Sequence, residues 1–316
     1  MSPVTLISSK PVPQPEGGPP ALFDRRLLVR RRDRAAHAFQ DYDFLHARAA
    51  DDLLDRVESV TRDFDTCLVL GGGGAIGRAL ADRPGARSKI NHLIETDLSP
   101  RMARLSDQTA VCLDEEALPL APQSVDLVIS CLNLHWTNDI VGALIQINHA
   151  LKPDGFFAGA LLGGATLTEL RQSFQKVTDE DPAPRRVSPF ADTVDMAGLL
   201  SRAGFTLPVS DVDRVKARYG NSFVLMRDLR AMGETNALYD RPRTPGTKSL
   251  FVKTAQAYAE AFAEEDGKVP ATFEIIHFAG WAPHPDQPKP KRPGSAQVSL
   301  ADALGVAEHK TGDKAG

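Results

Sequence analysis

Four consecutive glycines, Gly71 to Gly74, stand directly after the apolar run TCLVL and are followed by Ala75, Ile76 and Gly77. A chain groups residues without a Cβ where its backbone must turn sharply and approach a ligand, because any side chain there would clash. Asp97 comes about twenty residues after Gly77, where a carboxylate can accept two hydrogen bonds from the vicinal diol of a ribose. Asp114 and Glu115 close a later apolar run, and Ser130 lies near the end of the next one, VDLVISC. His135 and Trp136 come just after that run. The imidazole suits a general base or a hydrogen-bond donor to substrate, and the indole suits a pocket wall. Upstream, the stretch RRLLVRRRDR at 25–34 holds six arginines, with Arg26, Arg30 and Arg34 stacked on one helical face. That face is open to three readings: a solvated surface, a dock for an acidic partner, or a clamp over a bound ligand.

These residues need a scaffold, and the hydrophobic periodicity supplies one. Strands are expected at 66–70, 90–96, 109–113, 125–131, 155–161, 206–212 and 272–281. Helices are expected between them at 75–82, 100–107, 139–151, 166–179 and 192–203. Alternation of this kind predicts an α/β fold with a doubly wound, largely parallel sheet and a ligand at the carboxyl ends of its strands. Residues 21–60 read as an N-terminal helical segment with a break near 40–43. Before the last strand an insertion at 219–268 carries two amphipathic helices, 221–232 and 250–264. Residues 1–20 and 283–316 are rich in proline and lack apolar periodicity, so both are expected to be disordered.

The glycine loop fits two ligands. Gly72-x-Gly74-x-x-Gly77 matches the dinucleotide pattern, and Gly71-x-Gly73-x-Ala75 resembles the loop of S-adenosylmethionine domains. The residues that follow decide between them. Asp114-Glu115-Glu116-Ala117-Leu118-Pro119 resembles the acidic stretch that, in methyltransferases, accepts from the adenine amino group. Leu151-Lys152-Pro153-Asp154-Gly155 resembles the turn into their fifth strand. The resemblance implies the class I S-adenosylmethionine methyltransferase fold over 61–282: a Rossmann-like, seven-stranded sheet whose antiparallel last strand slots beside the fifth. It implies Gly71, Gly72, Gly73, Asp97, Leu98, Asp114, Glu115 and Ser130 as contacts of S-adenosyl-L-methionine, His135 and Trp136 as catalytic residues, and the 219–268 insertion as a substrate lid. One departure stands out: Val69 occupies the place of the acid that the family usually carries two residues before the first glycine.

Further stretches resemble one subfamily, the complex I assembly-factor methyltransferase-like proteins, whose mitochondrial members hydroxylate an arginine of a respiratory-complex subunit. They are LFDR at 22–25, LHWTND at 134–139, LGGATLTELR at 162–171, DLRAMGETN at 228–236 and VPATFEII at 269–276. The core resembles, more distantly, the malonyl-acyl-carrier-protein O-methyltransferases. The implied activity is modification of a protein side chain, hydroxylation or methylation of an arginine in a complex I subunit. The alternatives are O-methylation of a small molecule or acyl carrier, and a non-catalytic assembly chaperone.

Bulk properties narrow the field. A formal net charge of −4 gives no reason to expect nucleic acid or an anionic membrane as partner. The 3 cysteines lie in strand-like apolar runs without a C-x-x-C, as buried thiols of a reducing compartment do. The 8 histidines form neither H-x-D nor H-x-x-x-H, so no metal ligands are named. No apolar run is long enough for a transmembrane span. The N-terminus has neither a signal-peptide core nor the early arginines of a presequence. A cytoplasmic protein is expected, or one of the mitochondrial matrix if the source is a eukaryote.

Overall fold

Strands buried on both faces read as continuous apolar runs, and the central strands here do. The computed structural model describes residues 21–178, 185–188, 196–288 and 305. The disorder expected at 1–20, most of that expected at 283–316, and the start of the 192–203 helix fall outside the described residues. Those up to Pro283 form one compact unit, and those from His284 on belong to a second.

The chain opens with α1 (Arg25–Ala35), a 3-10 turn (Phe39–Asp41) and α2 (Phe44–Ser59). Then come β1 (Phe64–Gly71), α3 (Ala75–Ala81), α4 (Pro84–Lys89), β2 (Ile90–Asp97), α5 (Pro100–Ala103), β3 (Thr109–Cys112) and β4 (Val125–Cys131). A 3-10 turn (Leu134–Trp136) leads to α6 (Ile140–Ala150), β5 (Leu151–Leu162), α7 (Thr168–Val177) and α8 (Met196–Arg202). The last elements are β6 (Thr206–Tyr219), α9 (Ser222–Ala231), α10 (Lys248–Phe262) and β7 (Val269–Trp281).

The seven strands form one sheet in the order β3-β2-β1-β4-β5-β7-β6. Only β7 runs antiparallel, to both β5 and β6, as the family resemblance implies. Leu45, Leu53, Ile129, Ala160 and Phe273 belong to the apolar layer between the sheet and α2, and α7, α9 and α10 contribute Leu170, Leu225 and Tyr258 to the same layer. On the opposite face α6 and α8 cover Leu70, Val128 and Phe157 with Leu144, Ile147 and Leu200. The sheet is therefore doubly wound. The two tryptophans lie far apart on it: Trp281 pairs with Phe156 near the start of β5, whereas Trp136 follows the carboxyl end of β4.

Of the boundaries that differ from expectation, three bear on the sheet and its connections. β6 continues to Tyr219 instead of stopping at 212, because Val215, Ala217 and Tyr219 turn toward the core while Arg214, Lys216 and Arg218 face outward. Such charges protect an edge strand from pairing with other chains. β5 begins at Leu151, and the Lys-Pro-Asp-Gly turn is a bulge inside it, with Asp154 at φ 61. Finally, α4 was not expected; it starts on Pro84, which suits the first turn of a helix.

Candidate active site

At the end of β1 all four glycines adopt the left-handed conformation, with φ values of 75, 87, 54 and 81 from Gly71 to Gly74. A Cβ on Gly71 would lie 2.6 Å from Asn133, and one on Gly73 would lie 2.6 Å from the Phe39 ring. The loop is thus a cradle that only glycine can form. Gly77 has a different purpose from the first glycines. It sits on the Glu95 carboxylate, to which its amide donates at 2.9 Å, so a side chain there would collide with β2.

The acids expected at the strand ends are gathered around this cradle, and each is held by an arginine of α1. Asp97, at the end of β2, receives Arg32 Nη1 at 3.3 Å and the Ser99 amide at 2.8 Å. Burial raises its carboxyl above the ordinary range, and Arg32 and the Ser99 amide pull it back. Asp114 and Glu115, just past β3, each accept from Arg25 Nη2 at 2.7 Å, and Arg25 also donates to the Trp136 carbonyl at 3.1 Å. Burial opposes the charge on Arg25, but Glu115, Asp114 and Glu116 together hold its pKa above the usual arginine value. Leu98 is buried with Phe23, Leu28 and Trp136, which seats α1 over the site. Ser130 Oγ, near the end of β4, is buried without a hydrogen-bond partner among the described residues. Val69 packs within the apolar layer beneath α2, so that position offers no polar group.

The arginine stripe read from the sequence does not form the clamp. Arg26, Arg30 and Arg34 are exposed, and the residues that reach inward are Arg25 and Arg32, two helical turns apart. Asp24 caps the helix by accepting from the Leu27 amide at 3.0 Å, which fixes the phase of this inward pair.

His135 and Trp136 converge on a residue that the sequence reading left without a role. His135 Nε2 lies 3.2 Å from Glu234 Oε2, and Trp136 Nε1 donates to the same oxygen at 3.2 Å. Glu234 gets there through a helix stop. Gly233, at φ 82, ends α9, and the Glu234 amide returns to the Leu229 carbonyl at 2.9 Å, a left-handed cap that swings the next side chain inward. Burial by itself would raise the Glu234 carboxyl; the His135 charge and hydrogen bond, with Arg32, outweigh it and hold the group below its ordinary value. His46, packed edge-on against Phe39, is pushed down to about 3 by burial and is therefore neutral. A glycine after an amphipathic helix is a legible stop signal, but no local pattern marks the acid behind it as buried.

Glu234 also lines a cavity of about 1070 Å³ bounded by α7, α9 and α10, whose apolar wall includes Leu170, Phe174, Phe223, Met226 and Phe251. It is the one acid among the described residues of that lining. Leu225, Leu229 and Tyr258, on the inner faces of α9 and α10, are part of the main core, and Tyr258 donates to the Pro270 carbonyl at 2.7 Å. Elsewhere, the fold gathers Asp52, Asp213 and His277 with potential ligand atoms within 4.8 Å of one another, a trio without a sequence signature. Arg48 already donates to Asp213 at 2.6 Å, an ion pair that joins α2 to β6; burial lowers the pKa of His277 on β7.

Residues 68–159 match the family described as a methyltransferase domain. Over 290 residues the chain is 39% identical to the mitochondrial arginine-hydroxylase NDUFAF5 of Danio rerio, covering 89% of each chain. It is 33% identical over 304 residues to the malonyl-[acyl-carrier protein] O-methyltransferase of Methylovorus sp. (strain MP688), covering 92% of this chain and 96% of that one. In fold it is similar to the YcgJ protein of Bacillus subtilis, with a TM-score of 0.51 and 14% identity over 75% of this chain and 99% of the other.

Proposed function

Because the chain belongs to the family of arginine-hydroxylase NDUFAF5, within the class I S-adenosylmethionine methyltransferase superfamily, we propose that it modifies an arginine side chain of a protein, by hydroxylation, during assembly of respiratory complex I. Its cofactor is S-adenosyl-L-methionine, and the glycine cradle with the buried carboxylates fits that group. Gly71, Gly72 and Gly73 would admit it to the backbone, Asp97 would take its ribose, and Asp114, Glu115 and Leu98 would meet its adenine end. When bound, it would supply a methyl group activated on a sulfonium, which methylation would use. Hydroxylation instead takes its oxygen atom from an external oxidant such as dioxygen, with the oxidant's second oxygen atom and two further electrons accounted for by a reductant outside this chain.

The observation that carries the arginine reading is Glu234. A carboxylate held ionised on an otherwise apolar and cationic wall is a natural partner for a guanidinium, which carboxylates bind through paired, charge-assisted hydrogen bonds. His135 and Trp136 then act through Glu234, as residues that position it. This placement supports a role for all three. The protein partner is a complex I subunit. The compartment is the cytoplasm, or the matrix in a eukaryote; among the described residues no helix is long and apolar enough to cross a membrane.

A second reading, O-methylation of a malonyl-acyl carrier, is favoured by the cationic lining of the cavity, which suits a carboxylate substrate. Mass spectrometry of complex I subunits from cells with and without the gene separates the two readings. An arginine peptide heavier by one oxygen only when the gene is present is the expected result. Arginine peptides unchanged in mass, together with methyl transfer to malonyl-acyl carrier in vitro, would replace the first reading by the second.

A further inference from the structure

Beside the large cavity, Arg31 and Arg34 of α1, Arg230 of α9 and Thr235 line a cleft of about 90 Å³. Arg31, Arg230 and Thr235 line the large cavity as well, so the cleft is a side chamber at its mouth. Among the described residues, the guanidinium groups of Arg34 and Arg230 make neither an ion pair nor a hydrogen bond. Arg31 donates to the Asn236 carbonyl. Burial and the neighbouring charges of Arg241, Arg34 and Arg230 push its pKa down to about 10, with Asp24 only partly compensating. Arg34 and Arg230 stand in the last turns of their helices, where the dipole favours a cation. That explains each arginine alone. It does not explain why three of them, with a hydroxyl, converge on one small chamber.

The same surroundings create a difficulty for a cationic substrate. Among the described residues of the lining, Arg186, Arg227, Arg241, Arg243 and Lys248 add to the positive charge, against the single acid Glu234. A guanidinium approaching alone would be repelled before it reached that carboxylate. The difficulty disappears if the substrate brings its own negative charge and the cleft receives it.

We propose that the chamber formed by Arg31, Arg34, Arg230 and Thr235 binds an aspartate or glutamate carboxylate of the substrate polypeptide, close in sequence to the arginine that enters the cavity. The inference rests on the arginine reading and adds a specificity rule to it: the target arginine lies in a locally acidic segment. Three guanidinium groups supply donors in forks matched to carboxylate oxygens, and the Thr235 hydroxyl supplies another. An anion there also relieves the mutual repulsion of Arg31, Arg34 and Arg230.

The test uses the full chain loaded with S-adenosylmethionine and fluorescein-labelled heptapeptides with a central arginine. One peptide carries glutamates two residues to either side of it, a second carries glutamines there, and a third keeps the glutamates but has glycine for the arginine. Fluorescence anisotropy should show the glutamate peptide binding about tenfold tighter than the glutamine peptide, with a steeper loss in added salt. Arg34→Gln with Arg230→Gln should erase that difference without weakening the glutamine peptide, whose arginine then meets less positive charge at the mouth. Arg26→Gln with Arg30→Gln, on the exposed stripe, should leave the difference intact. Inorganic phosphate should compete with the glutamate peptide only weakly. Equal affinities for the first two peptides, or phosphate binding in the chamber without a glutamate preference, would overturn the acidic-segment assignment and leave the arginine reading standing. Equal affinity for the first and third peptides would instead sink the arginine reading and leave the anion chamber. Binding of none of the three would overturn both.

Discussion

Arg25 Nη2 and Asp114 Oδ1 lie 2.7 Å apart with both side chains buried, joining the first helix of the chain to the end of β3. The same nitrogen serves Glu115, so one guanidinium is shared by two carboxylates that would otherwise repel each other out of water. Removing a single partner from such a cluster leaves uncompensated charge in a poorly solvated place.

Arg25→Met should therefore destabilise the chain by about 3–5 kcal/mol. Adding Asp114→Asn and Glu115→Gln to that variant should recover most of the loss. Urea unfolding of the single and triple variants measures both numbers. A single variant as stable as the wild type would mean that water, not Arg25, solvates these acids.

Asp97→Ala should weaken S-adenosylmethionine binding by about 1.5–3 kcal/mol, the worth of charge-assisted bonds from a diol. Titration calorimetry measures this directly, and NADH is the control ligand. Binding of NADH in preference to S-adenosylmethionine would contradict the assignment of the cradle.

Glu234→Gln keeps an acceptor for the Trp136 indole and removes the charge. Modification of an arginine substrate should fall by about 10- to 100-fold in kcat/KM, while cofactor affinity hardly moves. Turnover by mass spectrometry and calorimetry on the same protein give the two readings. Equal losses in both would place Glu234 in the support of the cofactor.

His46 gives the fold a pH dependence. Its pKa in the folded chain, about 3, lies below the unfolded value of about 6.5, so the unfolded chain takes up the proton first. The stability that depends on the neutral ring is complete above about pH 6.5 and is lost as pH falls toward 3, by about 1.4 kcal/mol per unit. Glu234, also depressed, adds a loss confined to pH below about 4.3. Urea unfolding between pH 7 and pH 4.5 should show a slope that is much reduced in His46→Leu. An identical slope in that variant would assign the acid sensitivity elsewhere.

The strands and the cradle were legible because each depends on local pattern, apolar runs of strand length and a block of glycines, whereas the antiparallel direction of the last strand came from the family resemblance carried by the Lys-Pro-x-Gly turn and its neighbours. Arg25 and Arg32 were hidden by their own helix. Its six arginines suggest the four-residue stripe of Arg26, Arg30 and Arg34, yet the phase that matters is set by the Asp24 cap and by the burial of Leu28 between the two inward arginines. Glu234 was hidden for a different reason. Its partners His135 and Trp136 lie about a hundred residues earlier in the sequence, and nothing periodic links them. Contacts across such separations come from topology, which repeating patterns do not encode.

The placement of the only two tryptophans, Trp136 and Trp281, has a spectroscopic consequence. Trp136 is 1% exposed, hydrogen-bonded to an ionised carboxylate and set edge-on against Phe23 at 5.3 Å, whereas Trp281 lies against Phe156 at 4.6 Å beside the opposite end of β5. The chain thus carries two intrinsic fluorophores in unlike surroundings, one sensing the mouth of the cradle and the other the far margin of the sheet. Events at the site and the unfolding of the scaffold can be followed as separate optical signals in the unlabelled protein.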